Sequence, residues 1–198
     1  MIVSAREIEP SHIATLRREA GGLICLAVPG DVADLLGLPY LHRIYEESKN
    51  AAVRGLASDS MPYGGPPAFS VSLNHRDNFT GITDLDRAQT AREFCKLVAL
   101  VQREPSAGCA QALVENFRSP GHLPLLIASN IGERQGHTEL SIRLAGMSGI
   151  VPAVVICEML DDRTHRALSK GDAQEYARRH GLAMLEASDV LGGSEVDR

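Results

Sequence analysis

The chain has no tryptophan and only four phenylalanines and four tyrosines in 198 residues. That scarcity weighs against a surface built to stack nucleic-acid bases. No block of lysine or arginine is long enough to neutralise a run of phosphates, and the net charge is −5, so a nucleic-acid partner is not expected. No apolar run approaches the roughly 20 residues of a membrane span. The start, Met1-Ile2-Val3-Ser4, lacks the basic and apolar segments of a signal peptide. The four cysteines (Cys25, Cys95, Cys109, Cys157) form no CxxC pair and sit in or beside apolar sequence. They read as buried reduced thiols, which points to a cytoplasmic protein. No internal repeat and no low-complexity segment occurs.

What is present is an ordinary globular composition, 44% hydrophobic and 23% charged, long enough for one domain with a sizeable core. The expected organisation is a single α+β domain over 1–191 and a frayed tail over 192–198. Apolar periodicity predicts helices over 9–19 (capped by Ser11), 32–36, 40–56, 84–104 (capped by Thr83 or Asp84), 106–116, from the motif below to about Met147, and 172–180. Strands are expected over 23–28, 69–73 (Phe69, Val71 and Leu73 on one side), 125–128, 151–157 and 182–185. Arg118 to His122 reads as a turn and 61–67 as a loop. The alternation implies α+β architecture, a mixed β-sheet flanked by helices.

Three features can carry chemistry. Arg134-Gln135-Gly136-His137-Thr138-Glu139 puts a cation, a glycine, an imidazole and a hydroxyl at a helix start. Unpartnered backbone N–H groups and the helix dipole favour an anion there, and Arg134 and Thr138 can add hydrogen bonds to phosphate oxygens. The plain alternative is a helix start with Glu139 near the dipole. Glu158 follows the buried run Val154-Val155-Ile156-Cys157, at a strand end where α/β sheets bind ligands. A half-buried carboxylate there can serve as acid or base; alternatively the strand simply surfaces. His122 follows Pro120-Gly121, and a lone loop histidine is more often structural.

Taken together, these residues resemble a known family. Phe79-Thr80-Gly81-Ile82 with Asp86-Arg87 and Thr90, then Pro120-Gly121-His122, then Arg134 to Glu139, then Cys157-Glu158 occur in the order and spacing of 3,4-dihydroxy-2-butanone 4-phosphate synthase of riboflavin biosynthesis. Gly22-Leu23-Ile24-Cys25-Leu26 fits as well. The resemblance runs from about Ile2 to Leu191. It implies a lyase that converts ribulose 5-phosphate into 3,4-dihydroxy-2-butanone 4-phosphate and formate, through enolisation, loss of water, a skeletal shift and loss of one carbon. It implies that Arg134, Gln135, Gly136, His137 and Thr138 hold the sugar phosphate. Glu158 and His122 would be the catalytic residues, and His137 a ligand to magnesium. It implies a homodimer with sites at the subunit interface. The family pattern also has a preceding strand, helix and acidic loop, after which Met1 aligns, so His137 has no evident carboxylate partner. Glu46, Glu47 or Asp59 in the long segment 40–67 could deliver one from another direction, although a solvated helix face explains them as well. Asp84 and Ser119 replace the usual serine and arginine. These departures keep a second reading open: a non-catalytic paralogue that binds a phosphorylated metabolite, or a subunit completed by a partner.

Overall fold

The computed structural model describes residues 1–57, 65–106 and 108–192. Its centre is a five-stranded mixed sheet in the order β1-β5-β2-β4-β3, built from β1 (Ile2–Ser4), β2 (Cys25–Pro29), β3 (Phe69–His75), β4 (Phe117–Ala128) and β5 (Val154–Ile156). The middle strand, β2, runs parallel to β4 and antiparallel to β5. Its pairs Leu26–Leu125 and Leu26–Val155 fix the register across all three strands. A two-stranded hairpin, β6 (Leu160–Asp161) with β7 (Arg166–Ala167), follows β5.

Strand alternation divides the core. Leu26, Val28, Leu123, Leu125, Ile127, Val155 and Cys157 point to one face. There they meet α1 (Pro10–Thr15), α2 (Gly30–Leu36), α5 (Asp84–Arg103) and α6 (Gly108–Asn116). The 20-residue α5 is the main support. Its start is fixed by Thr83, whose hydroxyl accepts from the Asp86 N–H. Ala88, Ala91, Phe94, Cys95, Val98 and Val101 recur at helical spacing, all buried. Fully burying a side chain such as Phe94 contributes about 1.5–3 kcal/mol. Cys25, Ala27, Leu126, Val154 and Ile156 point to the other face. They are covered by α7 (His137–Met147) through Ala145 and Ile142, with Ala68 and Phe69 at the rim.

Several expectations are corrected. The first helix is capped by Glu9 rather than Ser11, with Pro10 as its first residue, and it passes into a π-helical turn, Leu16–Ala20. The segment 40–56 is two short helices, α3 (Leu41–Glu46) and α4 (Ala51–Arg54), because the side-chain Oδ1 of Asn50 accepts from the N–H groups of Ala52 and Val53 and starts a new helix. Phe69 faces away from Val71 and Leu73, since a register shift between Phe69 and Ser72 breaks the alternation. Residues 182–185 form no strand; they link α8 (Lys170–His180) to α9 (Ala187–Gly192) along the surface. Most of the loop expected over 61–67, and the tail beyond 192, lie outside the described residues. Among the described residues no helix is long and apolar enough to cross a membrane.

Candidate functional site

The register that builds the core also aligns two chemical groups. The β2–β4 ladder begins at Leu26–Leu125; carried three residues further back, the same register would set Leu23 beside His122. On the other side of the same chain segment, the Leu23 N–H donates to Glu158 Oε2 at 3.0 Å, and the Gly22 N–H to the Glu158 carbonyl at 3.1 Å. His122 and Glu158 thus flank Leu23 at one level of the sheet, about 10 Å apart at two strand spacings. Alternation from Leu126 and Ile156 puts both on the thinly covered face.

Each group is braced by a glycine. Arg118 to His122 is not the expected turn but part of β4. Gly121 explains the difference: its backbone lies so close to that of Leu73 that a Cβ would overlap the Leu73 carbonyl, and its N–H donates to Ser72 Oγ at 3.1 Å. Residues 119–122 bulge between the β3 pairs Leu73–Leu123 and Asn74–Arg118 while staying packed on that strand. His122 is exposed, and its backbone N–H and its Nδ1 both face the Asn74 amide. Glu158 is also exposed rather than half-buried, because β5 ends at Ile156 and the chain surfaces. Its carboxylate is nevertheless fixed by the Leu23 N–H. A Cβ on Gly22 would come within 2.6 Å of both the Glu158 carbonyl oxygen and Oε2.

The second half of the site is the start of α7. Gly136 is its N-cap and brings no capping side chain, so the N–H groups of the first turn stay open to an anion. Glu139 is buried, and its carboxylate accepts from the Gly136 N–H at 3.0 Å and the Ser129 N–H at 3.2 Å. It ties the helix start to the end of β4. Arg134 Nε lies 3.7 Å from Glu139 Oε2, with the side chain 28% exposed. The guanidinium is therefore anchored on one edge and accessible on the other. Thr138 is buried, whereas Gln135 and His137 are exposed. Tyr40 lies close enough to feel these charges. Burial above all, and then Glu139, raises its hydroxyl pKa, with Arg134 opposing.

The expected residues thus fall into two groups. Seven residues of extended chain, about 20 Å, separate His122 from Ser129, where Glu139 and Arg134 are anchored. Among the described residues, the carboxylates expected as substitutes make no hydrogen bond or ion pair with His137: Glu46 pairs with Arg43 at 2.9 Å, Glu47 is exposed, and Asp59 lies outside the described residues. Among the described residues no group of three or more His, Cys, Asp or Glu could hold a metal ion. A single exposed imidazole does not suit magnesium, which takes oxygen ligands in near-octahedral array. The described residues therefore do not by themselves fit that metal. Cys25, on the same face, is buried: burial first, then the charges of Glu158 and Cys157, pushes its thiol up to about 12, which disfavours the thiolate. Sequence reasoning missed Asn74, the Leu23 N–H and the linking role of Glu139. Only the last had a local signal, a carboxylate three residues after an N-cap.

Known proteins of one family resemble this chain along nearly its whole length. The model of the 3,4-dihydroxy-2-butanone 4-phosphate synthase family matches residues 1–192. The chain is 42% identical over 195 residues to the protein of that name from Methanothermobacter thermautotrophicus, covering 96% of this chain and 82% of the relative. It is 41% identical over 194 residues to the one from Archaeoglobus fulgidus, covering 96% and 80%. The riboflavin biosynthesis protein RibBA of Staphylococcus aureus is 34% identical over 179 residues, 89% of this chain and 38% of that one. A solved 3,4-dihydroxy-2-butanone 4-phosphate synthase in complex with two magnesium ions superposes with a TM-score of 0.70 at 27% identity, covering 96% of this chain and 82% of that one.

Proposed function

We propose a function on one premise: this chain belongs to the 3,4-dihydroxy-2-butanone 4-phosphate synthase family of riboflavin biosynthesis. The proposed reaction is cleavage of ribulose 5-phosphate to 3,4-dihydroxy-2-butanone 4-phosphate and formate. The observation that carries this reading is the alignment of His122 and Glu158 across Leu23, on the sheet face that also holds the open start of α7.

The first turn of α7 and Arg134 bind the phosphate, with Gln135 and Thr138 as neighbours. His122 and Glu158 transfer the protons that enolisation and loss of water require. Both side chains are exposed, and both are held by backbone N–H groups or amides at fixed positions. No step is assigned to magnesium. Buried free thiols support a reducing, cytoplasmic setting.

The separation of the two groups supports assembly of each site from two copies of the chain. A five-carbon phosphate cannot span about 20 Å of strand. In a twofold dimer, the His122 and Glu158 end of one copy would face the α7 start of its partner. Leu23 between the two proton-transfer groups is 49% exposed, and Phe79, beside the turn that packs on Asn74, is 95% exposed. Apolar side chains so placed suit a surface covered by a second copy.

Incubation of the purified protein with ribulose 5-phosphate tests the reaction, read by formate release and the phosphorus NMR spectrum. Formate with a new phosphorus signal is expected. Binding of the phosphate ester without formate would favour the non-catalytic reading. Mixing inactive His122→Ala with inactive Arg134→Ala tests the shared site. Random reassociation gives heterodimers in which one site of two is intact, so about a quarter of wild-type activity should return. No recovery after proven subunit exchange would place all these residues in one copy's site.

A further inference from the structure

An imidazole that moves protons must present the right nitrogen to its ligand. In His122 the Nδ1 edge is already engaged. It lies 3.1 Å from Asn74 Nδ2 and 3.3 Å from Asn74 Oδ1. Asn74 sits near the end of β3, one strand over, and is buried.

The amide can face only one way. The His122 backbone N–H is a donor and nothing else, and it points at Asn74 Oδ1 at 2.8 Å. The oxygen is fixed on that side, which leaves the NH2 group toward Nδ1 and toward the Thr80 carbonyl at 3.5 Å. An amide nitrogen offers two donors and no acceptor. Nδ2 at 3.1 Å is nearer to His122 Nδ1 than Oδ1 at 3.3 Å, and Oδ1 already serves the backbone N–H, so the geometry favours Nδ1 as acceptor and a neutral ring with its proton on Nε2. Among the described residues nothing hydrogen-bonds to Nε2.

Asn74 is itself confined. The ladder shifts register between Leu73 and Asn74, so Leu73 pairs with Leu123 but Asn74 with Arg118. The extra residues of β4 bring the His122 N–H onto the amide. On the opposite side, a Cβ at Gly81 would overlap the Asn74 amide, so no larger residue fits there. That turn is pinned by the buried Asp86, which accepts from the Gly81 N–H at 2.8 Å and from Thr80 Oγ1 at 3.1 Å. The start of α5 therefore holds the turn, the turn confines the amide, and the amide orients the ring.

We propose that Asn74 is a positioning residue that holds His122 as the Nε2–H tautomer, so that the neutral ring presents Nε2–H as a hydrogen-bond donor to its ligand. This rests on the reading of His122 as a proton-transfer residue. The free ring nitrogen then faces the ligand already loaded with its proton.

The test is long-range proton–nitrogen NMR of the full-length 15N-labelled protein, recorded above the pH at which the ring is neutral. The His122 signals are identified by their loss in His122→Gln. The wild type should show a protonated Nε2. Asn74→Asp is nearly isosteric and keeps the acceptor for the His122 N–H, but it replaces the donor at Nδ1 by an acceptor. It should move the proton to Nδ1 and lower kcat about 10–100-fold, with KM changed less than about threefold. Asn74→Ala should leave a tautomer mixture; if it does not fold, Asn74→Asp alone decides. A protonated Nδ1 in the wild type overturns the proposal. So does an unchanged tautomer in Asn74→Asp, or a switched tautomer with unchanged kcat. If the wild type shows no turnover of ribulose 5-phosphate, the reaction assignment fails while the tautomer measurement still decides the role of Asn74.

Discussion

The two faces of the central sheet differ in weight. Among the described residues, 29 buried residues form the cluster on one face and seven the cluster on the other. The heavy face holds Phe94 stacked edge-on against Phe117, with ring centroids 5.3 Å apart, and the aliphatic rows of α1, α2 and α5. The light face is floored by Cys25, Ala27 and Leu126 under a single helix, α7. Its small side chains leave His122 and Glu158 accessible at one end and the start of α7 at the other. On the proposed function, stability and chemistry fall to opposite sides of the same five strands.

Mutations on each face can break or sharpen that division. Phe94→Ala should cost about 3–5 kcal/mol in urea unfolding, while the fraction that stays folded keeps its kcat. A comparable loss from Leu126→Ala would show that the light face carries as much stability as the heavy one. Next in size, His122→Ala and Glu158→Gln should each lower kcat at least about a hundredfold, with unfolding free energy changed by less than about 0.5 kcal/mol. A large loss of stability would mean that these side chains hold the fold rather than serve the ligand. Arg134→Ala should weaken binding of a phosphate ester about tenfold by calorimetry, and unchanged affinity would remove Arg134 from the phosphate end. The smallest effect belongs to the contact between the π-helical turn Leu16–Ala20 and α5. The Arg17 hydrogen bond to Asp84 holds that carboxyl below the usual aspartate range, with burial opposing and Arg87 assisting. A lowered folded value contributes stability above the unfolded value, and that contribution is lost as pH falls through the folded one. Asp84→Asn should therefore flatten the fall in stability toward acid pH while leaving activity at neutral pH unchanged.

Much of the heavy face is legible in the sequence. The period of Ala88, Ala91, Cys95 and Val98 and the cap at Thr83 locate α5 within a residue, because one helix surface meets one core. The apolar run before Pro29 locates β2 for a similar reason. On the light face the local signal misleads. Pro120-Gly121 has the chemistry of a turn, yet Gly121 serves a close approach to Leu73, 48 residues earlier. The motif Arg134 to Glu139 is readable because its contacts are nearly all local, from Gly136 to Glu139. Asn74 is not readable, since an asparagine in a strand gains meaning only when β4 arrives beside it.

Gly22 and Gly121 contribute no chemistry of their own, yet each occupies space that the Glu158 side chain or the strand of His122 requires. One added methyl at Gly22 would compete with the Glu158 carboxylate for its seat, and one at Gly121 would lever β4 off β3. Random mutagenesis should therefore return inactivating alleles at these two positions as readily as at His122 and Glu158. The aliphatic positions of the heavy face should meanwhile drift among leucine, isoleucine and methionine with little penalty. The fragility of the activity is set by two missing side chains.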